Sequence, residues 1–271
     1  MFYLVTVIYN ELIESLTVVK KEINNATLFF VDNSTKKEIC MKNKLFCNEK
    51  GINYITMGGN KGLPMAYNRV ISIIPKNEDN WIIICDQDTD FENNLLDKYE
   101  KTILLNPNKK IFCPVIRDIK GIMSPSKKMG KKYVHSKQKD FNKLIKNYSF
   151  INSCMCINSK IFNSVQYDEN LFLDLVDFDF IATVRNILGN DLFYVIQDTE
   201  IFQNFSGVTN NSYNSDFIRF QIFVKDMRYY HYKWHKTLFY ANLFLFLRAV
   251  KLSILHRNLS FISILKKGKS K

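Results

Sequence analysis

Apolar runs and polar punctuation alternate regularly through the first third of the chain. YLVTVI, ATLFFV, INYITM and WIIICD read as short buried strands, and the stretches near 11–22, 36–48 and 63–74 read as the helices between them. Strands alternating with helices of that length predict an α/β fold with a mostly parallel, Rossmann-like central sheet flanked by helices. In such sheets ligands bind beyond the carboxyl ends of the strands. The residues to examine are therefore Tyr9 and Asn10, Asp32 to Ser34, Gly58 to Gly62, and Asp86 to Asp88.

Further along, 120–146 carries nine lysines together with Gly121, Pro125 and Gly130, a composition that predicts a surface loop or short hairpin over the site. The apolar run SFINSCMCI follows. Helical spacing then appears from about Asp177 to Leu188, and after Gly207 the pattern is helical to the end. No repeat of 20 to 50 residues is visible.

Charge sharpens this division. The formal net charge is +12, yet residues 206–271 hold 12 Lys/Arg against 2 Asp/Glu, so the basic character belongs to this extension. Its longest uncharged stretch, Leu238 to Leu247, is far short of the roughly 20 residues a membrane-spanning helix needs. Two shorter helices lying on an anionic membrane surface, or packing on a second copy of the chain, are expected instead. Six cysteines without a CxxC pair exclude the common zinc frameworks and point to reduced thiols. MFYLVTVIYN reads as a strand rather than a secretory leader, so a cytoplasmic protein, peripheral at the inner face of the cell membrane, is expected.

Three constellations carry candidate chemistry. In WIIICDQDTDF, Asp86 and Asp88 follow a strand at a spacing of two, a pair of hard oxygen donors suited to Mg²⁺ or Mn²⁺ bridging a diphosphate. MGGNKGLPMAYNRVI sets Gly58, Gly59 and Gly62 before a helix whose N-terminal N–H groups favour an anion, with Asn60 and Asn68 placed to touch a ribose, a phosphate or the Asp86 turn. It matches neither GxGxxG nor GxxxxGK[ST], which argues against dinucleotide enzymes and P-loop NTPases. In VDFDF, Asp177 and Asp179 open a helix where both cannot cap the first turn, leaving one as a general base; Asp174 is an alternative. Scattered histidines and the lack of a G-x-S-x-G elbow disfavour a hydrolase. Tyrosines and basic residues interleaved in DMRYYHYKWHK allow a competing reading, a basic nucleic-acid-binding protein, which needs none of these acids.

Together these motifs resemble the family-2 inverting glycosyltransferases of the GT-A fold, within them the bacterial rhamnosyltransferase-like branch, over roughly residues 3 to 235. The matching features are VTVIYN with Thr6, Tyr9 and Asn10; V-D-N-S with Asp32 and Asn33; Asn60, Gly62, Ala66 and Asn68; DQD at Asp86, Gln87 and Asp88; and YDENLFLDLVDFDFIATVR with Asp168, Asp174, Asp177, Asp179 and Arg185. The resemblance implies a GT-A catalytic domain over 1–205, divided into a nucleotide-sugar side (1–118) and an acceptor side (119–205), with a C-terminal helical extension at 206–271. Asp32 would contact base or ribose, Asp86 and Asp88 the diphosphate and metal, and Asp177 would deprotonate the acceptor hydroxyl. The two acidic motifs would face one another across one cleft. dTDP-rhamnose is the first donor implied, UDP-galactofuranose or a UDP-hexose the next, and a saccharide or lipid-linked oligosaccharide the acceptor. Two departures stand out: Gln203 replaces a family histidine that ligates the metal, and MRYYHYKW puts Lys233 and Trp234 where the family often has Arg and Asn.

Overall fold

The computed structural model describes residues 1–21, 23–118, 121–129, 132–135, 141–202 and 212–267. Its strands are β1 (Phe2–Ile8), β2 (Ala26–Asp32), β3 (Asn53–Thr56), β4 (Trp81–Asp86), β5 (Ile111–Asp118), β6 (Gly121–Ser124), β7 (Ser126–Met129), β8 (Lys132–His135), β9 (Tyr148–Ser149), β10 (Met155–Asn158) and β11 (Phe193–Phe202). The helices are α1 (Lys37–Lys50), α2 (Leu63–Ile71), α3 (Leu95–Leu105), α4 (Val176–Leu188), α5 (Tyr213–His235), α6 (Phe239–Leu255) and α7 (Ser260–Lys267).

The main sheet runs β11-β5-β10-β4-β1-β2-β3, with β6 added against β5. β1 pairs in parallel with both β2 and β4, β2 with β3, and β11 with β5, whereas β10 runs antiparallel between β4 and β5. Because the chain leaves β1 toward β2 and β3 and returns on its other side as β4, the carboxyl ends of β1 and β4 flank a topological switch point. This is the mixed, mostly parallel sheet that the sequence pattern predicts.

Period-two alternation sorts the strand residues onto two faces. Val5, Val7, Val31, Ile82 and Ile84 pack with Tyr67 and Val70 of α2 and Phe180 and Val184 of α4. Phe2, Leu4, Phe30, Trp81 and Ile83 pack with Cys47 of α1 and Leu95 and Tyr99 of α3. Both faces are covered, which explains why β1 and β4 read as continuous apolar runs rather than alternating ones.

The stretch 11–22 corrects one expectation. Ile13–Ser15 and Thr17–Lys20 form two short 3₁₀ turns separated by an extended Leu16. The β-branched run Thr17-Val18-Val19 is a poor helix former, and the irregular path lets Ile13, Leu16 and Val18 all reach the core. Of the lysine-rich segment, the described residues include β6, which joins the main sheet, and β7 and β8, which form a small sheet of order β8-β7-β9 with the later β9.

The C-terminal helices form a third apolar cluster, with Phe220, Phe223 and Val224 of α5 against Leu245 and Ala249 of α6 and Phe261 of α7. α5 is also bound firmly to the sheet domain. Buried Asp226 accepts N–H bonds from Phe172, Leu173 and Asp174 at 3.1, 2.8 and 2.9 Å. Lys233 bridges Asp168 (2.7 Å) and Asp179 (2.9 Å), and the Trp234 indole donates to Asp179 at 2.7 Å. The expected boundary at 205/206 falls outside the described residues.

Candidate functional site

A cavity of about 420 Å³ opens at the carboxyl ends of β1, β2 and β4. Tyr9, Asn33, Asn60, Gly62, Asp86 and Gln87 line one side, and Phe172, Leu173 and four residues of α5, Ser215, Ile218, Arg219 and Ile222, close the other. The strand-end reasoning thus finds the place, and α5 adds a wall that it did not foresee.

The loop after β3 is braced for its position. Asn33 donates from Nδ2 to the Gly62 carbonyl (3.0 Å) and accepts from the Lys61 N–H (2.9 Å), and Asn60 accepts from the Gly62 N–H (3.1 Å). Gly62 has φ 87°, and a Cβ there would lie 2.8 Å from the Phe172 carbonyl oxygen. The close approach lets the Leu63 N–H donate to that same carbonyl at 2.8 Å, locking the 168–175 segment onto the start of α2. Gly62→Ala should cost about 1–3 kcal/mol in urea unfolding. Gly58→Ala, with φ 67° but nothing within 4 Å of its Cβ, isolates the backbone strain and should cost less.

Asp86 ends β4 facing the cavity, and Ser153 Oγ donates to its carboxylate. Gln87 Oε1 accepts the Tyr9 N–H at 2.8 Å, which ties the end of β1 to the turn after β4. Asp88 is exposed and does not line the cavity. Of the two carboxylates only that of Asp86 lines the cavity, a hard oxygen donor of the kind that suits a Mg²⁺ or Mn²⁺ ion completed by a bound diphosphate. Among the described residues no cluster of three His, Cys, Asp or Glu would hold an ion alone, and Gln203 lies outside them.

Asp177 sits in the first turn of α4, after Leu175 at φ 62°, and accepts the Phe178 N–H at 2.8 Å. Although its residue keeps some exposure, its carboxylate is densely surrounded. Burial is the main cause that pushes it up to about 7, with Asp86 adding repulsion against the opposing Phe178 hydrogen bond. Asp177 does not line the cavity itself. Its charge is nevertheless felt, like that of Asp86, by the buried phenols of Tyr67 and Tyr167, whose rings lie 4.9 Å apart and whose pKa values are raised chiefly by burial. Asp86 and Asp177 thus feel one another's charge, while of the acids in the two motifs only Asp86 lines the cavity.

Other residues expected at the site have partners within the fold. Asp32 is fully buried and does not line the cavity: its carboxylate accepts from the Ser34 N–H (2.8 Å), Asn43 Nδ2 (3.1 Å) and Tyr54 Oη (2.8 Å), bracing the loop after β2. Asn10, at φ 53°, accepts the Thr35 and Lys36 N–H groups for the same loop. Thr6 lies buried in mid-sheet. Asn68 clasps Tyr167 and Glu169 at 2.9 to 3.1 Å and does not line the cavity. Asp179 is consumed by Lys233 and Trp234. Arg185 stacks over Phe193, 4.9 Å from the ring centroid, and donates to the Ile145 carbonyl. Asp174 forms a two-pronged pair with Arg219 at 2.5 and 2.7 Å; burial still raises it, against the attraction of that guanidinium.

Arg219 is the residue that sequence reasoning missed. It is the one cationic side chain among the described residues lining the cavity, which Asp86 also lines. A readable signal existed: Phe220, Phe223, Val224 and Met227 mark one apolar stripe of α5, which leaves Ile218, Arg219 and Ile222 on another face. Much of the interleaved run proposed for nucleic acid is engaged within the fold, with Tyr230 buried, Lys233 in two ion pairs and Arg228 bonded to Asn242 and the Leu265 carbonyl, while Tyr232 and Lys236 are exposed.

The arrangement is the GT-A fold. No family model and no curated protein matches the sequence. Solved structures do. S. aureus TarS 1-349 superposes with a TM-score of 0.52 at 12% identity, over 87% of this chain and 72% of that one. Mannosyltransferase PcManGT from Pyrobaculum calidifontis, in complex with GDP-Man and Mn²⁺, gives 0.55 at 13% over 83% and 62%. GalNAc-T7, with UDP, GalNAc and Mn²⁺, gives 0.58 at 14% over 98% and 54%. The chain spans under two thirds of the last two.

Proposed function

We propose that this protein transfers a sugar from a nucleoside-diphosphate donor to an acceptor hydroxyl with inversion at the anomeric carbon. The observation that carries the reading is the cavity at the β1/β4 switch point, lined by Asp86, Gln87 and Arg219, with Asp177 outside its lining but within reach of the Asp86 charge and raised to about 7 chiefly by burial. The fold neighbours supply support of their own, since TarS was solved with UDP-GlcNAc and PcManGT with GDP-Man.

Asp177 takes the proton from the acceptor hydroxyl as its oxygen bonds to the anomeric carbon. The bond from that carbon to the diphosphate oxygen breaks on the opposite side, and the nucleoside diphosphate leaves with the electron pair. A divalent ion held at Asp86, with Asp88 as the second ligand that the motif resemblance implies, would neutralise the leaving diphosphate. Arg219, held by its two-pronged pair with Asp174, brings a guanidinium to the same cavity wall, where it would favour the diphosphate.

The donor assignment follows the motif resemblance: dTDP-rhamnose first, then UDP-galactofuranose or a UDP-hexose. The acceptor is a growing cell-surface saccharide or its lipid-linked precursor, met at the cytoplasmic membrane face. Isothermal titration with dTDP and UDP in Mn²⁺ tests the binding half. Arg219→Ala should weaken nucleoside diphosphate binding by about 10- to 100-fold, with partial recovery in Arg219→Lys. Unchanged affinity would reduce Arg219 to a structural partner of Asp174.

A further inference from the structure

We propose that the outer face of α6 forms a docking surface for an anionic lipid bilayer, independent of which sugar is transferred. Phe239, Tyr240, Leu243, Phe246, Leu247 and Ile254 are 48 to 73% exposed on one side of α6, while Ala241, Leu245 and Ala249 face inward. At 100° per residue the exposed set forms a single broad stripe, and exposed Lys251 falls within its i, i+4 row between Leu247 and Leu255. So large a contiguous apolar face on a surface helix requires a partner.

Charge identifies that partner. The extension has only two acids and both are engaged internally: Asp226 is buried on three backbone N–H groups, and Asp216 pairs with His256 at 2.8 Å. Lys236, Lys251, Arg257 and Lys266 are all exposed. The outward charge around the apolar stripe is therefore positive, the combination of apolar face and basic rim that an anionic interface attracts. No described helix is long and apolar enough to cross a membrane, so the contact is one of lying on the surface.

The same helix connects this face to the cavity. Arg248, on the inner side of α6, lies over Phe223 at 4.1 Å and feels the charges of Asp174 and Arg219. A bilayer against the outer face would bring its headgroups within about one helix diameter, roughly 10 Å, of the wall that carries Arg219. That geometry suits an acceptor anchored in lipid.

The test is co-sedimentation of the full chain with vesicles of phosphatidylcholine alone and of phosphatidylcholine with phosphatidylglycerol, at low and high salt. The wild type should pellet with the anionic vesicles and be released by salt. Leu247→Glu with Ile254→Glu, both fully surface positions, should weaken this partitioning at least about tenfold while leaving nucleoside diphosphate affinity unchanged, which separates failure of docking from failure of the donor site. A wild type that stays in the supernatant with anionic vesicles would overturn the proposal. So would a double variant that pellets equally well, or a wild-type dimer that becomes monomeric in the variant without any lipid binding, since a second copy would then own the face.

Discussion

Replacing Asp177 with Asn should lower the turnover of sugar transfer by about 10²- to 10⁴-fold, the usual contribution of a positioned base, and leave donor affinity unchanged. The carboxylate is held at the helix start by the Phe178 N–H, and burial together with Asp86 raises it to about 7. A base with that value is half ionised near neutrality and strong enough to accept a hydroxyl proton in the transition state. kcat/KM should therefore rise as pH increases through about 7 and level off above it, and the Asn variant should lose that dependence. Equal turnover in the two proteins would remove Asp177 from the chemistry.

The same shift has a sign for stability. A carboxyl whose folded value lies above its ordinary 3.8 binds its proton more tightly in the folded state, so its contribution is present below about 4 and is lost as pH rises toward 7. Asp177→Asn carries no such penalty. Its melting temperature should match or exceed that of the wild type at pH 8, with the gap narrowing toward pH 5. An active-site acid that destabilises its own fold at working pH is the trade expected where function, not packing, selects the residue.

Asp226→Ala should cost about 3–5 kcal/mol of folding stability, read as a lowered urea midpoint. One buried carboxylate serves three consecutive backbone donors, Phe172, Leu173 and Asp174, and each bond to a charged acceptor is worth about 1.5–3 kcal/mol before relaxation. Removing it leaves three N–H groups without their partner in a segment that also carries the cavity wall. Asp226→Asn keeps one acceptor oxygen and should fall between the two. Because Phe172 and Leu173 line the cavity and Arg219 shares the helix with Asp226, the Ala variant should also bind nucleoside diphosphates more weakly. A fully stable variant would mean that α5 is not the clamp its hydrogen bonds describe.

Much of this was legible in the residues. YLVTVI and WIIICD announce strands buried on both faces, and that alone locates the switch point where Tyr9, Asp86 and Gln87 meet. The opening of α4 was readable from helical spacing. Other polar residues at strand ends looked equally suited to a ligand, yet Asp32, Asn10 and Asn68 spend their hydrogen bonds bracing loops. Their partners Tyr54, Lys36 and Tyr167 lie 22, 26 and 99 residues away, a pairing that local pattern cannot show. Asp179 misled for the same reason, because Lys233 and Trp234 reach it from α5. The helix expected at 11–22 failed on tertiary grounds: three apolar side chains at uneven spacing all needed the core. Arg219 was hidden by its address in a helix whose basic charge pointed toward the surface.

The central claim is that one cavity, floored by β1 and β4 and walled by α5, holds an activated sugar. Release of nucleoside diphosphate from a panel of dTDP-rhamnose, UDP-galactofuranose and UDP-hexoses, with the full chain, Mn²⁺ and a chelated control, tests it most directly. At least one donor should be turned over, with Asp86→Asn sharply slower on that donor. A panel left intact, with no member raising the melting temperature of the wild type, would contradict it.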